Sequence, residues 1–374
     1  MEVSPSFLYM HILAEFSTDS SSRSEQRPLD GFVYAISPFN FTALAVNLVL
    51  APIIVGNVVV WKPSPGAVLS SWLFQKIMME AGLPAGVLQF LPGDAIEVTN
   101  AVLNNKNLGA LHFTGSTKVF QSLWSQIGAK ISFFTSYPRL IGETSGQNFH
   151  LIHGSANVRN AALTTVRAAF EYQGQKCSAC SRVYIAKSIA SEFLDILVST
   201  TKDLTMGDAV TDFCGPIISG SAFRRVADSI TSAKSDPTVE VLEGGQCDDS
   251  VGYYVVSEVE HRDSSLYTAP ILTYQLLPRP TIVKARDYNS VFLKDEIFGP
   301  FLAVYVYPDE QYGPEILRII DETSDFALSG AVFANDRDAL QGAIEGLRFS
   351  AGNFYVKYAD HLLPTYKPTI YPRS

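Results

Sequence analysis

A long stretch without charged residues, 31–61, limits the folds that this chain can adopt. A stretch of this length can cross a bilayer as one apolar helix. Here, however, proline, glycine and asparagine interrupt it, notably at Pro38, Pro52 and Gly56, and the pieces between them are too short to cross. A buried strand, helix and strand of an α/β domain explains the stretch better than a membrane span does, because strands covered on both faces are apolar throughout.

Apolar strands alternate with helices along the rest of the chain. Predicted strands cover 31–36, 57–62, 87–91, 110–113, 148–152, 182–187, 239–242, 301–307, 329–334 and about 352–356. Predicted helices cover 42–55, 67–81, a segment opening at 115–119, 156–171, 189–203, 221–234, 313–323 and 336–348. This alternation is typical of a parallel, doubly wound sheet. It restarts after Gly146, so the sequence predicts two successive α/β units.

The composition agrees with two globular domains and argues against several other classes of protein. A length of 374 residues corresponds to roughly two domains, and 47% hydrophobic residues are enough for large buried sheets. The net charge of −9 argues against a general nucleic-acid surface, and four cysteines are too sparse for a disulfide scaffold. The first residues lack the basic region of a secretory signal or transit peptide, and the serine-rich run 17–24 predicts a linker or disordered tail.

Two glycine-containing loops carry the residues best suited to covalent catalysis. The loop Tyr172–Arg182 holds Cys177, and the turn Gly142–Gly146 holds Glu143. A thiolate is the strongest nucleophile among side chains, and the neighbouring Lys176 is expected to favour that ionised form. A carboxylate on the opposite side can then activate water against an acyl-enzyme. A buried structural cysteine and a surface glutamate are the alternative interpretation.

Cys177 and Cys180 also form a Cys-x-x-Cys pair, for which zinc binding and thiol redox chemistry are further alternatives. No second pair or histidine follows at ligand spacing, so the support for a metal site is weak. The surrounding strands and helices do not follow the thioredoxin pattern, which weakens the redox interpretation. The sequence therefore predicts no bound metal.

Four further polar positions are candidates for binding or catalysis. Lys62 follows an apolar strand, where open α/β sheets place ligand-contacting groups. The turn 115–117 offers backbone N–H groups and a hydroxyl at a helix N-terminus, which suits phosphate. Asn40 can donate to an oxyanion, and Glu296 can reach a ribose hydroxyl. The alternatives are a solvated lysine, an ordinary helix cap, a turn asparagine and an exposed glutamate.

Taken together, these motifs resemble the aldehyde dehydrogenase superfamily. They occur in the family's order, within a region of about 31–357, at 37–41, 61–64, 113–116, 142–148, 174–179 and 296–300. Finer features at 36–43, 148–150, 170–182, 247–253 and 351–355 are similar to one branch of that family, the 1-pyrroline-5-carboxylate dehydrogenases of proline catabolism. Cys180 is part of this branch pattern, which further weakens the metal and redox interpretations.

The resemblance implies an incomplete Rossmann-like NAD-binding domain, 31–145, followed by an α/β catalytic domain, 146–357. NAD is the implied cofactor, and glutamate γ-semialdehyde is the implied substrate, oxidised to glutamate through a thioester on Cys177. Glu143 is implied as the base for hydrolysis and Asn40 as an oxyanion donor. The other implied site residues are Lys62 and Glu296 at the riboses of NAD, Ser37, Gly115, Ser116, Thr117, Lys118 and Val119 elsewhere at the cofactor, and Phe41 and Ser178 at the substrate.

Departures from the family pattern leave a second function open. The chain is expected to be shorter than the family at both ends, with an irregular or disordered tail 1–30, an atypical insertion at about 255–279 and an atypical tail 358–374. The elements with which the family forms homo-oligomers are expected to be missing. The alternative is a catalytically inactive protein that is inert or associates with a full-length paralogue. The resemblance implies the mitochondrial matrix, and the cytoplasm is the alternative because no transit peptide is visible.

Overall fold

The computed structural model describes residues 27–207, 212–248, 254–256 and 280–357. Most of the sequence-predicted tail 1–30, most of the predicted insertion 255–279 and all of the tail 358–374 lie outside the described residues. The described residues form two main β-sheets, in agreement with the predicted α/β fold.

The first sheet has five parallel strands in the order β3-β2-β1-β4-β5. The strands are β1 Phe32–Ile36, β2 Val59–Lys62, β3 Leu88–Phe90, β4 Leu108–Thr114 and β5 Arg139–Glu143, and the helices between them are α1 Thr42–Ile54, α2 Val68–Glu80, α3 Ala95–Leu103 and α4 Thr117–Ala129. Because the strands are parallel, their carboxyl ends meet at one edge of the sheet, where open α/β sheets bind ligands.

The uncharged stretch forms β1, α1 and β2, as predicted. Its core side chains Val33, Val49 and Trp61 are fully or almost fully buried in one apolar cluster. Burial of side chains of this size contributes about 1.5–3 kcal/mol each, which explains why the stretch carries no charge. Among the described residues, no helix has the length and apolar character needed to cross a bilayer.

The second sheet has seven strands in the order β14-β13-β6-β7-β12-β11-β8, and only its edge strand β8 runs antiparallel. Its strands are β6 Asn148–Ile152, β7 Cys180–Ala186, β8 Val239–Glu243, β11 Thr281–Ala285, β12 Phe301–Tyr307, β13 Ser329–Phe333 and β14 Asn353–Lys357. Its helices are α5 Val158–Phe170, α6 Lys187–Lys202, α7 Gly220–Ser235, α8 Val291–Lys294, α9 Pro314–Thr323 and α10 Arg337–Gly346.

Side-chain caps define where several helices begin. The side chain of Asp94 accepts from two backbone N–H groups of the first turn of α3, and Ser116, Asn157, Ser219 and Asp336 cap α4, α5, α7 and α10 in the same manner. Each such cap satisfies a backbone donor that has no partner within the helix, and its loss typically costs about 1 kcal/mol.

The structure corrects the sequence prediction in two respects. The short strands β5 and β11, and a hairpin of β9 Gln246–Asp248 and β10 Tyr254–Val256, were not predicted. Strand β7 also begins at Cys180, so the last residues of the predicted loop are strand residues. Strands of three to five residues are too short to show a distinctive alternation of apolar and polar residues. Most of β5 is also exposed, so it lacks the pattern of a buried strand.

Candidate functional site

The loop that carries Cys177 is shaped by three consecutive left-handed residues. After α5 ends, Tyr172 and Gln173 both have φ of 57° and Gly174 has φ of 64°. A Cβ on residue 174 would lie 2.2 Å from the carbonyl oxygen of Gly299, so only glycine fits there. This reversal turns the chain from the helix towards β7 and leaves Cys177 half-buried between them.

Asn148 fastens this loop to the second sheet. Its Nδ2 donates to the carbonyl oxygens of Cys177 and Ala179, at 2.8 and 2.7 Å. Its Oδ1 accepts from the backbone N–H groups of Leu328 and Ser329, at 2.9 and 2.8 Å. The side chain is 1% exposed and is therefore fully satisfied by protein groups. The sequence marked Asn148 only as part of a motif, because these partners lie up to 181 residues away in the chain.

Replacing Asn148 by alanine is expected to lower the free energy of unfolding by roughly 3 kcal/mol, because two carbonyls and two N–H groups, one of each fully buried, lose their partners together. Denaturant unfolding of the whole chain measures this loss. Asn335→Ala, at an exposed position after β13, is the matched control and should change stability by less than about 0.5 kcal/mol. Equal stability of the two variants would contradict the fastening role of Asn148.

The structure brings Glu143 close enough to Cys177 for its charge to act on the thiol. Glu143 is the last residue of β5, and Gly146 of its turn packs against the Cys177 loop, since a Cβ there would lie 2.4 Å from the Cys177 carbonyl oxygen. The pKa of the Cys177 thiol is raised, first by burial and next by the charge of Glu143. Glu143 as a whole is exposed to solvent, but partial burial of its carboxylate raises the pKa of that group.

The prediction that Lys176 favours the thiolate is wrong. Lys176 Nζ lies 3.0 Å from Glu171 Oε2, and this pairing lowers the pKa of Glu171. The left-handed reversal brings Lys176 back to the end of α5, where the acidic partner stands. Charges near Cys177 come instead from Glu143 and Glu296, which both raise the pKa of the thiol.

Asn40 reaches the Cys177 loop from the first sheet. Its Nδ2 donates to the carbonyl oxygen of Gln175 at 2.8 Å, across 135 residues of sequence. An amide nitrogen carries two hydrogens, so one is left for another acceptor. Phe41 is 39% exposed and follows Asn40 in the chain, and Ser178 is exposed and follows Cys177. The predicted substrate residues thus flank the predicted oxyanion donor and nucleophile in the sequence.

Glu296 is part of the same site and is not the exposed glutamate of the alternative interpretation. Its Oε1 accepts from the backbone N–H of Gly146 at 2.9 Å, and the Ser145 side chain hydrogen-bonds to the same carboxylate. Burial is the main reason that its pKa is raised, and these hydrogen bonds act in the opposite direction. Close by, the rings of Phe39 and Phe298 meet edge to face, 6.3 Å apart. These contacts join loops of the two sheets.

Lys62 and Ser37 lie together at the carboxyl ends of β2 and β1. Lys62 is 3% exposed, its Nζ donates to the carbonyl oxygen of Pro63 at 2.9 Å, and burial lowers its pKa. Ser37 Oγ accepts from the indole N–H of Trp61 at 2.9 Å. A buried cation that is held by a neutral carbonyl is suited to hydrogen-bond a polar ligand at this edge.

The N-terminus of α4 has the features that an anionic ligand requires. Ser116 caps the helix, and Gly115 precedes it where a Cβ would lie 2.7 Å from the ring of Phe113. The buried Thr117 Oγ1 has no hydrogen-bond partner among the described residues. Lys118 and Val119, which follow in the first turn, are exposed. The backbone N–H groups at the start of this helix are suited to the phosphate oxygens of a ligand.

The second cysteine of the Cys-x-x-Cys pair lies apart from this chemistry. Cys180 is buried in β7, its Sγ lies 3.5 Å from the carbonyl oxygen of Arg182, and burial raises the pKa of its thiol strongly. Within the described ranges, no three histidine, cysteine or acidic side chains are grouped so that they could hold a metal ion.

Comparison with known proteins finds a matching family, similar proteins in other organisms and a similar solved structure. The model of the aldehyde dehydrogenase family matches residues 6–265 and 272–362. The chain is 50% identical over 341 residues to the mitochondrial delta-1-pyrroline-5-carboxylate dehydrogenase of Emericella nidulans and 42% identical over 340 residues to that of Homo sapiens, covering 90% of this chain in each case. A crystal structure of the NAD-bound delta-pyrroline-5-carboxylate dehydrogenase from Mycobacterium tuberculosis has a TM-score of 0.80 and 41% identity over 92% of this chain. The chain spans 56% of the length of those two curated relatives and 59% of the solved chain.

Proposed function

The chain belongs to the aldehyde dehydrogenase family, and on this premise we propose that it oxidises L-glutamate γ-semialdehyde to L-glutamate with NAD. The observation that carries the proposal is the meeting of Glu143, Cys177 and Glu296 at one site built from loops of both sheets. The substrate and cofactor are supported by relatives named delta-1-pyrroline-5-carboxylate dehydrogenase and by a solved relative bound with NAD.

We assign the two halves of the chain separate tasks. Residues 31–145 bind the cofactor and residues 146–357 carry the thiol. Since relatives from fungi and mammals are named mitochondrial, the reaction is assigned to the mitochondrial matrix.

Cys177 is the nucleophile of the proposed reaction. Its sulfur, once ionised, adds to the aldehyde carbon, and the carbonyl oxygen becomes an oxyanion. Asn40 Nδ2 and the backbone N–H of Cys177 are the proposed donors to that oxygen. NAD, when bound, accepts the hydride that leaves the carbon. Loss of the hydride leaves the acyl group on Cys177 as a thioester.

Glu143 is the base of the second half of the reaction. Cys177 carries the acyl group at that stage, so another residue must remove a proton from the attacking water. Glu143 lies beside the thiol, and burial brings its pKa closer to neutral pH, where a general base works best. Attack of the water releases the acid and returns Cys177 to its thiol form.

The remaining residues are assigned to binding. The riboses of NAD are assigned to Lys62 and Glu296, the rest of the cofactor to Ser37, Gly115, Ser116, Thr117, Lys118 and Val119, and the substrate to Phe41 and Ser178. The buried position of Lys62 and the unpaired hydroxyl of Thr117 support this assignment. The backbone donors at the start of α4 are suited to phosphate oxygens.

The purified chain is expected to form NADH from the semialdehyde and NAD. NAD at a hundred times its Kd should also raise the melting temperature by about 3 °C, because ligand binding to the folded state adds about 2.7 kcal/mol. Absorbance of NADH and thermal unfolding measure the two effects.

A short aliphatic aldehyde that lacks the amino acid group is the substrate control. Absence of both turnover and the thermal shift would overturn the proposal and favour the inactive alternative, whereas equal turnover of the control aldehyde would overturn only the substrate.

A further inference from the structure

We infer that Arg225, on helix α7, is a positioning residue that holds the turn carrying Glu296 from the side opposite to the catalytic loops. Arg225 Nε donates to the carbonyl oxygen of Ile297 at 2.8 Å. Burial lowers the pKa of Arg225 and raises the pKa of Glu296, and the attraction between the two charges acts against both shifts. The proposed function gives Arg225 no part, and the inference rests on the proposed binding of NAD by Glu296.

The turn after Glu296 has a backbone that neighbouring contacts must stabilise. Phe298 has φ of 54°, a left-handed conformation that is costly for a residue with an aromatic side chain. The carbonyl that Arg225 binds belongs to Ile297, between Glu296 and this strained residue. Helix α7 also packs directly on the turn, since a Cβ on Gly299 would lie 2.4 Å from Val226. Loss of the Arg225 hydrogen bond therefore frees the peptide that sets the direction of Glu296.

The Glu296 carboxylate is held from two sides. In front, it receives hydrogen bonds from Gly146 N–H and from Ser145, and its charge acts on the thiol of Cys177. Arg225 is a solvent-exposed residue that lines a surface groove between α7 and α8 and reaches the same turn with its guanidinium. Asp228 and Asp295 are the acidic residues that line this groove. Arg225 thus places a positive charge beside the turn that carries Glu296, and this charge favours the ionised form of that carboxylate.

Three variants of the full chain separate the effects of the charge and the hydrogen bond. Arg225→Gln removes the charge together with the guanidinium donor, whereas Arg225→Lys keeps the charge but loses the Nε bond to Ile297. Arg224→Gln removes the same charge from the adjacent exposed residue of the same groove and is the matched control. The Kd for NAD is measured by calorimetry from pH 5 to pH 9, and thermal unfolding in the absence of NAD shows whether each variant is folded.

Arg225→Gln is expected to raise the Kd for NAD about tenfold at neutral pH. It should also move the acidic limit of NAD binding to higher pH, because loss of the cation raises the pKa of Glu296 further. Arg225→Lys should keep that limit within about 0.3 pH units of the wild type, since one charge is retained, and should raise the Kd by about threefold. Arg224→Gln should leave both quantities at the wild-type values. If Arg225 only kept the turn folded, Arg225→Gln would raise the Kd for NAD without moving the acidic limit of NAD binding.

Equal Kd values and equal pH limits for Arg225→Gln and Arg224→Gln would overturn the inference while the proposed function stands. If the wild-type chain binds no NAD, the proposed function fails, and hydrogen exchange then tests the positioning itself. Arg225→Gln is expected to accelerate amide exchange at 296–299 relative to Arg224→Gln. Unchanged exchange in that segment would overturn the inference independently of the cofactor.

Discussion

Cys177→Ala is expected to lower kcat/KM for the semialdehyde by at least about 10⁴-fold, a loss comparable with that on removal of a nucleophile in other covalent enzymes. The sulfur forms the bond that carries the acyl group, and a methyl group cannot replace it. The Kd for NAD should change by no more than about threefold, because the cofactor contacts are assigned to other residues. NADH formation and calorimetric titration with NAD measure the two quantities.

Cys180→Ser is the matched control for this loss. Cys180 is the other cysteine of the same pair, but it is buried in β7, where its Sγ hydrogen-bonds with the backbone of Arg182 and of His150. The variant should retain activity within about threefold, because no step of the proposed reaction uses this sulfur. Equal loss of activity in both variants would contradict the division of roles and favour chemistry that needs the pair.

Much of the candidate site could be predicted from the sequence because its residues stand at strand ends and in glycine turns. The strands 148–152 and 301–307 have the predicted bounds. Lys62 ends a predicted strand, where a parallel sheet gathers such groups. Glu143 was recognised from its glycine turn, because the strand that it ends, β5, was not predicted. The assignment of these residues to catalysis and binding remains a prediction.

The contacts between distant segments could not be predicted. Lys176 next to Cys177 indicates an activating cation as long as the loop is extended. The left-handed backbone at Tyr172 and Gln173 turns Lys176 towards Glu171 instead, and neither residue type favours that conformation. Arg225 likewise lies on an ordinary amphipathic helix, and only packing of that helix on the turn after Glu296 gives it a partner.

Glu143→Gln is expected to have opposite effects on the two halves of the reaction. Steady-state turnover should fall by about 10²–10⁴-fold, because the amide cannot take a proton from water. The thioester should therefore accumulate, and NADH should appear as a burst of about one equivalent per active site. Rapid-mixing absorbance measures the burst, and the mass of the intact protein reports the acyl group on Cys177.

The pH dependence makes this prediction specific, because the same carboxylate acts on two groups. In the wild type, burial raises the pKa of Glu143. As the pH is lowered, the base is therefore protonated earlier, and steady-state turnover should begin to fall at a higher pH than it would with an ordinary glutamate. The charge of Glu143 also raises the pKa of Cys177. Its removal should therefore let the thiolate form at lower pH, and the burst in Glu143→Gln should shift to lower pH while turnover is lost. General damage to the site would slow both phases, and a missing burst in a folded Glu143→Gln variant would show that Glu143 is needed before the thioester forms.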